Sequence, residues 1–189
     1  SASAGIGIGK AVIVEEAELV ITRQSVSDGE AEVERFKGAL EQTIQDTERL
    51  AEDLATRVGE KEAEIMQGHM MLLADPMLTG EIENSIKNDG VNSEFAIENV
   101  CNMYADMFAS MGDELMQQRA TDMRDIKTRM QRTLMGIQSV DISKLAEGSI
   151  IVAKDLTPSM TAGINPANVT GIVTELGGRT SHSAILARA

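Results

Sequence analysis

The residues most able to do covalent chemistry are Arg179, Thr180, Ser181 and His182, which follow the glycine pair Gly177 and Gly178. Two glycines permit tight backbone geometry where a strand ends. A helix beginning near Thr180 would then carry His182 and Ser183 in its first turn, where unpaired N–H groups and the positive end of the dipole gather. That setting disfavours an imidazolium, leaves a neutral nucleophilic ring, and favours a phosphoryl group once it is transferred. Arg179 offers a planar fork of donors to phosphate oxygens, and the Ser and Thr hydroxyls add more. The residues alone leave a second reading open, a polar helix cap whose histidine merely packs.

Other constellations carry less. Gly5-Ile6-Gly7-Ile8-Gly9-Lys10 has the glycine density of a phosphate loop. A Walker motif, however, needs Gly where Ala4 stands and Ser or Thr where Ala11 stands. It also precedes a strand, which excludes the dinucleotide fingerprint. Two histidines and one cysteine make a zinc site improbable. Ser181 beside His182 is no hydrolase pair, because neighbours at a helix start point apart and no nucleophile elbow surrounds them.

Three regions with different hydrophobic periods must position these residues. The β-branched run Ala11 to Val14 predicts a strand. From about Ser27 to Val140 the pattern is helical, opened by Ser27 and Glu30 as a capping box. Val33, Phe36, Leu40, Ile44, Thr47, Leu50, Leu54 and Val58 make one stripe. A second helix follows Gly59, a third starts at Asp75-Pro76, a fourth near Asn92-Ser93 reaches Leu115, and a fifth starts near Thr121. Beyond Gly148, Ile150–Ala153 and Val169–Thr174 predict buried strands around a short helix at Thr157-Pro158-Ser159. The expected class is α/β plus all-α, a helical bundle inserted into an α/β unit whose strands share one sheet. The expected boundaries are 1–24, 25–140 and 141–189.

Charge divides the same way. The net charge is −13. Between Asp28 and Glu64 there are 12 acidic and 5 basic residues, whereas from Ile150 onward there are 2 and 3. An acidic surface with 2% aromatic residues disfavours nucleic acid and anionic membrane and favours a partner with a positive face. The twelve Met residues suit either a core or an adaptable groove. A lone Cys101, with no apolar run of spanning length and no charged leader, predicts a cytoplasmic protein.

The run 177–188, Gly-Gly-Arg-Thr-Ser-His-Ser-Ala-Ile-Leu-Ala-Arg, resembles the phosphohistidine signature of phosphoenolpyruvate-utilising enzymes. Arg179 is similar to the form in the Enzyme I family of the bacterial phosphoenolpyruvate–sugar phosphotransferase system. Gly68-His69-Met70-Met71-Leu72-Leu73-Ala74-Asp75-Pro76 and Arg119-Ala120-Thr121-Asp122-Met123-Arg124-Asp125-Ile126 support that narrower likeness over nearly the whole chain. Leu186, where the family often has Met, is a conservative departure. The resemblance implies a swivelling phosphohistidine subdomain that continues past Ala189. In it His182 takes phosphate from phosphoenolpyruvate on Nε2 and passes it to the phosphocarrier HPr. It further implies that Gly178, Arg179 and Ser181 stabilise the phosphate, while Thr161 holds the other ring nitrogen. A helix-capping hydroxyl is the other role that residue type offers Thr161.

HPr carries basic and apolar surface, so the resemblance implies docking on the helical region at His69, Met71 and Leu72, with Glu60, Asp75 and Arg119 at the rim. His69 also fits as a bundle histidine bonded within the core. Mg²⁺ and phosphoenolpyruvate would belong to a separate C-terminal barrel that makes the whole protein a homodimer. No metal is expected in this chain, which alone would be monomeric and unable to use phosphoenolpyruvate. Two alternatives remain, a domain of a pyruvate phosphate dikinase or phosphoenolpyruvate synthase, and a non-catalytic HPr-binding regulator. The acidic helical insertion argues against the first.

Overall fold

The computed structural model describes residues 2–177 and 182–188, except for the side chains of His182 and Leu186. Its chain contacts fall into two units. One comprises Ser1–Ala17, Arg49–Met66 and Ser139–Ala189, the other Glu18–Glu48 and Gln67–Gln138.

The first unit is built on a parallel sheet in the order β1-β2-β3, with β1 Lys10–Ile13, β2 Ser149–Ala153 and β3 Val169–Thr174. Lys10 pairs with Ser149 and Ile13 with Val152. β2 is central and the best buried, as the β-branched run Ile150-Ile151-Val152 requires of a strand paired on both edges. Val14, Ile142, Ile151, Ala153, Leu156 and Ile164 form its core. The glycines ahead of β1 have a packing reason. A Cβ on Gly7 would strike the Thr170 carbonyl oxygen, and one on Gly9 the Gly148 carbonyl oxygen. Close backbone approach, not phosphate binding, accounts for that glycine-rich run.

A short helix, α6 (Pro158–Ala162), leaves β2 and is capped by Thr157, whose hydroxyl accepts from the Met160 N–H. Ala162 packs with Leu54, Ala63 and Met66 in a second cluster of this unit. A last helix, α7 (His182–Arg188), follows β3.

The second unit is helical. α1 (Gly29–Arg57) and α2 (Glu60–Leu73) pass through both stretches of chain, whereas α3 (Pro76–Asp89), α4 (Ser93–Ser110) and α5 (Glu114–Met135) lie wholly here. Phe36, Leu73, Ile82, Ile86, Ile97 and Ile126 are among the fully buried side chains of its core. Punctuation follows the sequence. Asp75 caps α3 with Pro76 in its first turn, and Gly90 ends it at φ +60°, the left-handed conformation that glycine adopts at a helix C-terminus.

Two local expectations are corrected. Asp28, not Ser27, caps α1, taking the Ala31 N–H at 3.1 Å. The carboxylate one residue later sits at the right spacing for the first free N–H groups. The break between α4 and α5 lies at Gly112 and Asp113, not near Thr121. Gly112 has φ +78° and Asp113 accepts from the Met116 N–H, so α5 starts seven residues early and carries Leu115 and Thr121 inside it.

Candidate functional site

In the sheet unit the candidate site is the meeting of α6 and α7. β3 leads to Gly177, whose φ of +112° is one that side chains other than glycine rarely adopt. α7 then opens on His182. Gly178, Arg179 and Ser181 lie outside the described residues, as does the side chain of His182. The backbone places His182 next to Ser183, and Ser183 Oγ is 3.1 Å from Thr161 Oγ1. Thr161 is only 4% exposed, and its hydroxyl donates to the Thr157 carbonyl at 3.0 Å. The structure therefore brings the expected Thr161 to the first turn of the histidine helix. It gives its hydroxyl two partners that spacing alone did not reveal.

A cavity of about 10 Å³ lies beside this contact, lined by Leu54, Glu62, Ile65, Pro158, Thr161, Ala162 and Ile185. That is room for one water, so this cavity is not where a metabolite would sit. Among the described residues no group of three or more His, Cys, Asp or Glu is arranged to hold a metal ion.

In the helical unit the expected docking residues do not share a face. His69 is fully buried, Leu72 is buried in the core, and Met71 is 66% exposed. The reason is helical geometry. Residues 69 and 72 lie three apart and point the same way, while 71 is turned well away from both. The surface expectation for His69 and Leu72 is corrected accordingly. Only Met71 of the three is available to a partner. Glu60 is exposed in the sheet unit, Arg119 is half-buried, and Asp75 is committed to its cap.

His69 Nε2 is 3.0 Å from Asp122 Oδ1 on α5, and its Nδ1 has no partner among the described residues. A carboxylate only accepts, so the ring proton belongs on Nε2. Asp122 was visible in the sequence, but nothing local linked it to a residue 53 positions away.

The exposed apolar surface of this unit is made largely of methionine: Met71, Met77, Met103, Met107 and Met111, with Leu115 beside them in sequence. Met103, Met107 and Met111 recur every four residues, one stripe along α4 and its cap. That spacing was readable, but period alone does not say which face of a helix is covered.

Two further groups show how closely the unit is packed. The Cys101 thiol is buried and its pKa pushed up to about 12 by desolvation. Burial alone would raise the Glu98 carboxyl, yet hydrogen bonds from Gln131, Asn102 and Lys127 and the charge of Lys127 bring it below its ordinary value.

Family models match most of the chain: PEP-utilising enzyme, N-terminal, over residues 1–119, and PEP-utilising enzyme, mobile domain, over residues 145–189. The chain belongs to the PEP-utilising enzymes. Curated relatives named phosphoenolpyruvate-protein phosphotransferase, from Bacillus subtilis and Priestia megaterium, are each 43% identical over 99% and 100% of this chain. The chain spans about a third (33%) of the length of these relatives. A solution structure of Enzyme I superposes with a TM-score of 0.86 at 39% identity, covering 98% of this chain and 76% of that one. The N-terminal domain of Enzyme 1 - Nitrogen gives 0.69 at 26% identity, covering 99% and 77%. The fold of this PEP-utilising enzyme region, a helical unit with a small parallel sheet, is therefore that of the Enzyme I N-terminal domain. No helix among the described residues is long and apolar enough to cross a membrane.

Proposed function

We propose that this chain is the phosphotransfer region of a phosphoenolpyruvate–protein phosphotransferase, in which His182 carries a phosphoryl group from phosphoenolpyruvate to HPr. Two observations carry the reading. Relatives bearing that name align along 99% or more of the chain, and His182 opens the helix whose first turn meets the buried Thr161.

On this reading the His182 ring attacks phosphorus in line, an N–P bond forms, and the P–O bond to the enolate of pyruvate breaks. A histidine of HPr then attacks the same phosphorus, a new N–P bond forms as the His182 N–P bond breaks, and the His182 ring returns to its free state. Arg179, Ser181 and the Gly178 backbone hold the transferred oxygens, and Thr161 orients the ring. Catalysis of this kind is positioning and charge stabilisation rather than proton chemistry. Phosphoenolpyruvate and Mg²⁺ are assigned to the part of the whole protein that the longer relatives possess, which also forms its homodimer. The division at 24/25 and 140/141 is kept as the functional one, with 25–140 serving HPr.

HPr docks on the exposed methionine surface of the helical unit. Met71 is its centre and Arg119 lies at its rim, while His69 and Leu72 support it from within and Asp75 caps α3. Flexible thioether side chains and an acidic background complement a basic partner. The protein acts in the cytoplasm.

The test is incubation with phosphorylated HPr followed by intact-mass measurement. An acid-labile gain of one phosphate that disappears in His182→Ala supports the reading, and binding without any gain refutes it in favour of a regulator. Met71→Asp should weaken HPr binding at least tenfold by burying a charge in an apolar contact. Undiminished affinity moves the docking site elsewhere.

A further inference from the structure

We infer that the methionines exposed on the helical unit are a reversible oxidation site, through which peroxide weakens the docking of HPr; the inference rests on the docking reading above. Met71, Met77, Met103, Met107 and Met111 are between 43% and 67% exposed. Met103, Met107 and Met111 recur every fourth residue, so they stand on one face of α4 and its cap. α3 packs on α4, and the Tyr104 hydroxyl donates to Glu81 Oε1 at 3.1 Å. Helices joined by a turn as short as Gly90 to Asn92 run antiparallel. One helical turn beyond that bond lie Met77 on α3 and Phe108 on α4, which sets Met77 beside the Met107 level of the stripe.

Side-chain chemistry separates the two units. Among the described residues, the large apolar side chains exposed on the helical unit are methionines apart from Val20 and Leu115, whereas those on the sheet unit are Ile, Leu and Val. Peroxide oxidises a thioether and leaves aliphatic hydrocarbon untouched. The sulfur lone pair attacks one peroxide oxygen, the O–O bond breaks, an S–O bond forms, and the other oxygen leaves as water. Sulfur is oxidised and peroxide reduced. A thiol-dependent sulfoxide reductase reverses the step, as a pair of thiols becomes a disulfide and the sulfoxide oxygen leaves as water. The thiol that could compete for oxidant, Cys101, is fully buried and kept protonated by desolvation, which makes it inert. Met66, Met123 and Met130 are at most 1% exposed and are screened by the fold. Oxidation therefore falls on the docking face and spares the core. Each sulfoxide replaces an adaptable apolar contact with a polar group that docking must desolvate.

The experiment uses the full chain in three forms: untreated, oxidised with hydrogen peroxide, and oxidised then repaired with methionine sulfoxide reductase. Peptide mass mapping locates each added oxygen, and titration with HPr gives the affinity. Met71, Met77, Met103, Met107 and Met111 should each gain an oxygen, and Met66, Met123 and Met130 none. HPr affinity should fall about tenfold or more, the cost of a polar group left unpaired in a contact. It should return on repair, with helical circular dichroism unchanged throughout. A variant carrying Met71→Leu, Met77→Leu, Met103→Leu, Met107→Leu and Met111→Leu, compared only with itself, should bind HPr equally before and after peroxide. If that variant does not fold, the repair arm decides alone. Undiminished affinity in the oxidised protein overturns the inference. So does a loss that repair fails to reverse, that persists in the leucine variant, or that comes with a fall in helicity. Untreated protein that does not bind HPr overturns the docking reading and the inference with it.

Discussion

Removing Asp122 should destabilise this protein more than removing the histidine it serves. His69 is wholly buried, and the Asp122 side chain is 13% exposed. Asp122→Ala takes away the acceptor of His69 Nε2 and leaves a ring with neither nitrogen paired among the described residues, since Nδ1 already has no partner among them. A hydrogen bond to a charged group contributes about 1.5–3 kcal/mol, and a stranded buried donor costs about 1–3 kcal/mol. These overlap, so a net loss of about 3 kcal/mol is expected. His69→Leu instead removes the ring together with its unpaired Nδ1, fills most of the space with an apolar side chain, and leaves a carboxylate that water can reach. Its cost should be about 1 kcal/mol. For a chain of this size 1 kcal/mol moves Tm by about 2–4 °C, giving a fall of about 6–12 °C for Asp122→Ala against about 2–4 °C for His69→Leu. Helical circular dichroism at pH 7 on both variants and the double variant measures this. In the His69→Leu background, Asp122→Ala should cost almost nothing more. Equal single costs, or additive ones, would show that the pair is not the coupled buried unit described here.

Gly9→Ala should destabilise the sheet unit by several kcal/mol, since its Cβ meets the Gly148 carbonyl and backbone must move; Gly38→Ala, with open space around it, should be neutral or stabilising in the same melts. Glu98→Gln should lower stability at neutral pH. The folded Glu98 carboxyl is held below its ordinary 4.5, so its contribution is present above that value and lost as the pH falls through the folded pKa. The gap between wild type and Glu98→Gln should accordingly close in acid unfolding below about pH 4.5. Cys101 should react with a thiol reagent only as fast as the helical unit opens, because the thiol is buried and its pKa is raised to about 12. Thr161→Val should slow phosphate uptake modestly while HPr affinity is unchanged. An unchanged rate removes Thr161 from the site.

Much of this architecture was legible because the signals that specify it are local. The stripe from Val33 to Leu54 identifies α1, Asp75-Pro76 and Gly90 bracket α3, and the β-branched runs locate all three strands. Errors arose where a local signal had a close competitor. Ser27 and Asp28 both cap helices well, and Gly112-Asp113 was outweighed by apolar spacing that continued to Leu115. The site was less legible for a different reason. Gly177 to His182 declares a chemistry by its residue types, but the Thr161–Ser183 and His69–Asp122 contacts join residues 22 and 53 positions apart. Hydrophobic period places His69 and Leu72 on one stripe and Met71 off it. It took the packed fold to show that the stripe faces inward.

The pairing of β1 with β2 also sets an order of events during synthesis. Lys10 pairs with Ser149, so the first strand emerges 139 residues before its partner exists. At about 5–20 residues per second, it waits roughly 7–28 s. All the helical segments between Glu18 and Gln138 are made in that interval, and their mostly local contacts close quickly. Folding them shortens the loop that β1 must close to reach β2, which lowers the entropy lost in closure. Until then Ile6, Ile8 and the β1 backbone have no sheet to join. Variants that slow the helices should therefore appear as failures of the sheet, and a nascent chain stalled before Ser149 should protect its helices from protease while its first strand remains open to cleavage.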